Sequence, residues 1–118
     1  LFNKLWLLLM SKIKPYQDQK KDGYIIREFK SSISERRLMW HRDKCDRIIE
    51  PIHTTDWKFQ YDNQVPIPLS KLFIPKETYH RIIKGTGDLT LKIKELWIVI
   101  VKYVHVKSAI VTAAVAVN

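Results

Sequence analysis

Cysteine is almost absent: among 118 residues there is one, Cys45. A single thiol excludes a disulfide framework and a four-cysteine zinc site, and it fits a reducing compartment. Glycine is scarce too, with three residues. Gly85-Thr86-Gly87 lacks the further glycine and the following helix that a dinucleotide loop requires, and it reads as a hairpin turn. No uninterrupted apolar run reaches the ~20 residues of a membrane span. Leu1 to Leu9 is too short. It could serve as the apolar core of a signal peptide, but it lacks a small-residue cleavage site and Lys12 and Lys14 follow at once. Met10-Ser11-Lys12 reads like a natural initiation, with Leu1 to Leu9 as an extension. Leu96 to Asn118 is apolar and β-branched but broken by Lys102, His105 and Lys107, so a tail or an added strand is expected there rather than a span.

Acidic residues are outnumbered, 12 against 21 basic, for a formal net charge of +9. No run of five like charges occurs; the excess is spread along the chain with a bias toward Lys12 to Arg37. Such a surface favours acidic partners through long-range attraction. Basic residues interleaved with aromatics (Lys58, Arg81, Lys84) permit a nucleic-acid face of the stacking type, but no RNA-recognition or cold-shock signature supports it. Neither nucleic acid nor a membrane is an expected partner. The chain is one domain's worth of sequence, with residues 1–23 as an N-terminal extension, 24–95 as the core fold and 96–118 as the C-terminal tail.

What is present is period two. Trp57-Lys58-Phe59-Gln60-Tyr61-Asp62 and Leu89-Thr90-Leu91-Lys92-Ile93-Lys94 alternate apolar and polar without error, the signature of half-buried strands. Shorter strands are expected at Tyr24 to Phe29, Arg37 to Arg42, Arg47 to Ile52, Lys71 to Ile74 and Tyr79 to Lys84. Short separators rich in Pro, Asn, Asp and Gly recur between them, and no amphipathic helical stretch competes. The pattern predicts an all-β antiparallel sandwich or barrel. Trp57, Phe59, Tyr61 and Phe73 are candidates to line its interior pocket, although such stripes are more often core.

Two segments carry chemistry: Trp40-His41-Arg42-Asp43-Lys44-Cys45-Asp46-Arg47 and, some thirty residues on, Ile74-Pro75-Lys76-Glu77-Thr78-Tyr79-His80-Arg81. In order and spacing they resemble the two motifs of the cupin family, a first H-x-H with a following Glu and a second with Pro a few residues before His. His41 matches the first histidine, Asp43 stands in place of the second, Arg47 or Ile48 falls where the glutamate is usual, and Pro75 and His80 match the second motif. The phrases Trp40 to Asp43 and Tyr79 to Gly85 also resemble small cupin-like proteins of bacteriophages, where an acidic residue is usual at the position of Cys45. The resemblance implies a small antiparallel jelly-roll barrel over residues 24–95, the tails peripheral, with His41, Asp43 and His80 as metal ligands. For phage origin it also implies a location in the host cytoplasm.

Two histidines and one carboxylate suit Fe(II) or Mn(II), with Ni and Zn as further candidate metals. Against this, an inward Arg47 would repel a cation, and Asp43, Asp46 and Arg47 would then form an ion-pair network closing the barrel mouth. His53, in the turn His53 to Asp56, reads as a solvated loop residue, and Cys45 as structural rather than nucleophilic. Three functions stay open. One is a non-catalytic ligand-binding or structural accessory protein, and another is a metal-dependent oxygenase, isomerase or epimerase built on His41, Asp43 and His80. The third is a basic module for an acidic partner. The resemblance also implies a homodimer paired through a sheet edge, with Tyr24 to Phe29 as the expected exchanging strand.

Overall fold

The structure is a computed structural model that describes residues 4–5, 13–97, 99–100, 104–106, 109–111 and 114–115. Met10 and most of the Leu1 to Leu9 segment lie outside the described residues, as do parts of the C-terminal tail.

The architecture is all-β and antiparallel, as expected. Strands β1 (Gln17–Lys21), β2 (Tyr24–Phe29), β3 (Asp46–Pro51), β4 (Lys58–Tyr61), β5 (Ile67–Pro68), β6 (Leu72–Ile74), β7 (His80–Ile83) and β8 (Leu89–Leu96) form two sheets. One has the order β1-β2-β8-β3-β6 and the other β5-β4-β7. Both sheets contribute to one hydrophobic core: Ile25, Phe29, Ile49, Ile74, Leu89, Leu91 and Ile93 from the larger, Phe59 from the smaller, with Trp57 and Leu69 beside it. Alternation dictates this. In β8, Leu89, Leu91 and Ile93 are buried while Thr90, Lys92 and Lys94 face outward, so one face of the strand is hydrocarbon and the other is charged.

Several expectations need correcting. The sheet begins earlier than residue 24, because β1 pairs with β2 across the Asp22–Gly23 turn, and Gly23 has φ 88°, a left-handed conformation that glycine adopts without penalty. Tyr24–Phe29 is consequently an interior strand, and the outer edge on that side is β1. Arg37 to Arg42 is not a strand. Glu35–Arg37 forms a 3-10 turn, and Ile33 and Leu38 pack on the core; local apolar content there serves a loop that covers the sheet, not a ladder. Gly85 to Gly87 is not a hairpin turn either, since β7 and β8 belong to different sheets. It is a crossover, fixed by Asp56, whose carboxylate accepts the Thr86 N–H and Oγ1–H at 2.8 Å each.

Beyond β8, which runs on past residue 95, the described parts of the tail are strands β9 (Val99–Ile100), β10 (Val104–Val106), β11 (Ala109–Val111) and β12 (Ala114–Val115). They pair with each other, β10 with β11 and β9 with β12, rather than with the two larger sheets. No helix among the described residues is long and apolar enough to cross a membrane.

Candidate metal centre

The covering loop is tied to the start of β7 by an isolated antiparallel bridge. His41 N–H donates to the His80 carbonyl at 3.0 Å, and His80 N–H returns to the His41 carbonyl at 2.9 Å. Residues directly opposite in such a pair present their side chains on the same side, so the two imidazoles meet with ring centroids 4.3 Å apart. Two residues further along the loop, Asp43 is anchored by its own carbonyl, which accepts the Glu77 N–H at 2.7 Å. Glu77 has φ 60°, an uncommon conformation for a residue with a Cβ. His41, Asp43 and His80 thus offer ligand atoms that all lie within 4.8 Å of one another.

The tautomers follow from the hydrogen bonds. His41 Nδ1 lies 3.0 Å from the Met39 carbonyl and His80 Nδ1 lies 2.8 Å from the Thr78 carbonyl. A carbonyl only accepts, so each Nδ1 carries a proton, and each ring turns its Nε2 toward Asp43. These Nε2 atoms stand 3.9 Å and 3.3 Å from the Asp43 carboxylate. Asp43 Oδ2 is buried without a hydrogen-bond partner. Two imidazole nitrogens and a carboxylate oxygen thus face one point, a ligand set that a positive centre there would complete.

A proton on His41 is an unfavourable way to supply that centre. Burial of the ring pushes its pKa below the usual histidine value, and the charges of His80 and Arg47 add to this against opposing help from the Met39 carbonyl and Asp43. For Asp43, burial opposes the ionised form, yet His80, Arg47 and His41 outweigh it and hold the carboxyl below the usual aspartate value. The site therefore keeps a carboxylate beside a neutral His41.

His80 is buried, and Phe59 stacks on it at 5.5 Å with 19° between the ring planes. His41 is half-exposed, so the cluster sits where the barrel opens. Behind it lies a cavity of about 260 Å³, whose walls include Ile49, Phe59, Ile74, Ile82, Leu91 and Ile93 as well as the three cluster residues. Of the expected pocket-lining aromatics only Phe59 lies on this wall. Trp57 is buried in the core and donates its indole N–H to the Gly87 carbonyl at 3.1 Å. The Tyr61 hydroxyl donates to the Phe73 carbonyl at 2.6 Å, and Phe73 is exposed on β6.

The ion-pair network differs from the expected one. Arg47 lies 3.4 Å from Asp43 and 2.8 Å from Glu95, and its Nε is buried without a partner. Glu95 is Arg47's neighbour in the β3–β8 register. Asp46 instead accepts the Lys76 N–H at 2.7 Å. Cys45 is buried beside Glu95, and burial together with that carboxylate raises its thiol pKa, which disfavours nucleophilic chemistry. The His53 ring is exposed and its Nε2 accepts the Thr90 N–H at 3.1 Å, away from the cluster. Sequence reasoning missed Arg27 and Arg37 on the cavity wall. For Arg27 a signal existed, since it alternates with buried Ile25 and Phe29 on β2.

No protein-family model matches the chain, and no curated protein matches it in sequence. Among solved structures, the chain is similar to protein NMB1881 from Neisseria meningitidis, with 17% identity over 77% of this chain and 95% of that one and a TM-score of 0.47. It is also similar to a "putative mannose-6-phosphate isomerase" from Ralstonia eutropha, with 13% identity over 68% of this chain and 81% of that one and a TM-score of 0.46. At these values neither likeness carries a site or an activity across.

Proposed function

We propose that this protein is a small metal-binding barrel of cupin type, in which His41, Asp43 and His80 hold one divalent first-row transition ion at the mouth of an apolar cavity and present it to a ligand. The observation that carries this reading is the shared arrangement of the imidazoles: both Nδ1 atoms are committed to backbone carbonyls and both Nε2 atoms face a carboxylate with an unpartnered oxygen. Outer hydrogen bonds of this kind orient metal-binding histidines. Two imidazole nitrogens and one carboxylate oxygen favour Fe(II) or Mn(II) and leave positions open. When bound, such an ion polarises an oxygen-bearing ligand as a Lewis acid. The chain itself keeps His80 fixed against Phe59 and surrounds the ligand with hydrocarbon.

A second reading rests on Arg47. Its guanidinium is 3.4 Å from Asp43, so the cluster could be an ion-pair lock in a metal-free accessory protein. Metal analysis separates the two. After dialysis against Fe(II), Mn(II), Ni(II) or Zn(II), one equivalent of ion is expected in the wild type and none in His41→Ala, whose half-exposed position spares the fold. A metal-free wild type that matches His41→Ala in every dialysis would establish the lock instead.

A further inference from the structure

The cavity behind the cluster has a charged end and a hydrocarbon end, and strand register sets the order. On β3, Arg47 and Ile49 both line the cavity, and they pair across β8 with Glu95 and Ile93. One strand step inward from the cluster, the wall therefore turns from Arg47 to Ile49 and Ile93, then to Leu91, with Phe59 facing from the other sheet. Arg27 lies on this wall at the register of Leu91, but its charge is matched: Asp18 grips the guanidinium at 2.8 and 2.9 Å, and the Tyr16 ring lies 3.6 Å beneath it. Arg37 donates to the Ile13 carbonyl on the segment preceding β1.

Arg47 is different. It sits beside the cluster with a buried Nε that has no partner, next to an Asp43 oxygen that has none. An ion on Asp43 would draw that carboxylate's charge away from Arg47, leaving the guanidinium with Glu95 and an unmet donor. A polyhydroxylated ligand would bury hydroxyls against hydrocarbon walls, and a neutral apolar one would leave the Arg47 donor unmet. We infer that the cavity takes a small carboxylic acid with an apolar body. Its carboxylate lies between the His41–Asp43–His80 position and Arg47, and its hydrocarbon part lies against Ile49, Phe59, Leu91 and Ile93. At about 260 Å³ the space is below the usual range for drug-sized ligands, which suits one ring or a short chain.

This inference rests on the metal-site reading, and one experiment tells their failures apart. The protein is loaded with Co(II), whose visible absorption reports its ligands, and titrated with 3-phenylpropionate, 3-phenylpropanamide and 3-phenylpropanol. The acid is expected to change the cobalt spectrum and to bind about tenfold or more tightly than either neutral analogue. Arg47→Gln is expected to erase that preference while cobalt uptake persists. Ile49→Trp, which fills the apolar end, is expected to block the acid and leave the cobalt spectrum unchanged. Equal binding of acid and amide, or an acid that leaves the spectrum of cobalt-loaded wild type unaltered, overturns the inference whether or not the variants fold. No cobalt uptake overturns the metal-site reading itself.

Discussion

Asp43→Asn keeps the shape of a side chain that stands 3.3 Å from His80 and 3.4 Å from Arg47 and removes its charge, so it separates metal ligation from ion pairing. An ion that binds only the folded chain at one hundred times its Kd adds about 2.7 kcal/mol of stability. For a domain of this size that raises Tm by about 10 °C. Loss of an outer-shell partner already weakens metal sites about 10–100-fold. Loss of the carboxylate ligand should therefore leave no more than about 0.4 kcal/mol at the same ion concentration, a shift of about 2 °C. Without metal the variant should lose no more than about 1.5–3 kcal/mol, the worth of one hydrogen bond to a charged group. Arg47 keeps Glu95 at 2.8 Å, and the substitution removes a buried oxygen that had no partner. Thermal melts of both proteins with and without Mn(II) read all four values. A metal-free variant that loses more than about 3 kcal/mol would show Asp43 to be the anchor of a buried ion pair, and an undiminished metal shift would show that it is no ligand.

Phe59→Ala, at a fully buried position that also supports His80, should cost about 3–5 kcal/mol in urea denaturation; a loss under about 1 kcal/mol would contradict the packing described. Gly85→Ala would place a Cβ 2.3 Å from Asp56 Oδ1 and 2.7 Å from the Trp57 backbone nitrogen, so it should destabilise far more than Gly87→Ala. Gly87 has open space around it and only a φ of 73° to strain, worth about 1–2 kcal/mol; equal melting temperatures for the two variants would refute the crowding. The Asp56 carboxyl is held below its ordinary value of 3.8 by its bonds from Thr86. Its folded pKa is thus the lower one, and its contribution is full above about pH 4 and lost as pH falls through the folded value. Asp56→Ala should accordingly narrow the difference in stability between pH 6 and pH 3, and an unchanged difference measured by denaturant titration would count against this.

Strands with a strict two-residue period were legible from side-chain types alone. β4 and β8 are where Trp57 to Tyr61 and Leu89 to Lys94 place them, because burying one face of a strand leaves little freedom of register. β1 carries no such signal: Gln17–Lys21 is exposed at every residue, and its strand character comes from pairing with β2. The cluster at 41, 43 and 80 could be named from spacing and family resemblance, but the device that assembles it could not. The expected strand at Arg37 to Arg42 is replaced by a loop pinned through one bridge to His80. The aromatic wall is only partly legible for a related reason. Alternation says that Trp57 and Phe59 share a face, but not that one reaches the core near Gly87 while the other reaches the cavity. Glu95 as Arg47's partner follows from the β3–β8 register, a long-range pairing that no local pattern specifies.

The most direct measurement is anomalous diffraction from crystals of the wild-type protein soaked in Mn(II). One ion should appear bonded to Nε2 of His41, Nε2 of His80 and the Asp43 carboxylate, with Arg47 drawn toward Glu95. A site without anomalous density at millimolar Mn(II), with the Arg47 guanidinium still against Asp43, would contradict a metal-binding role.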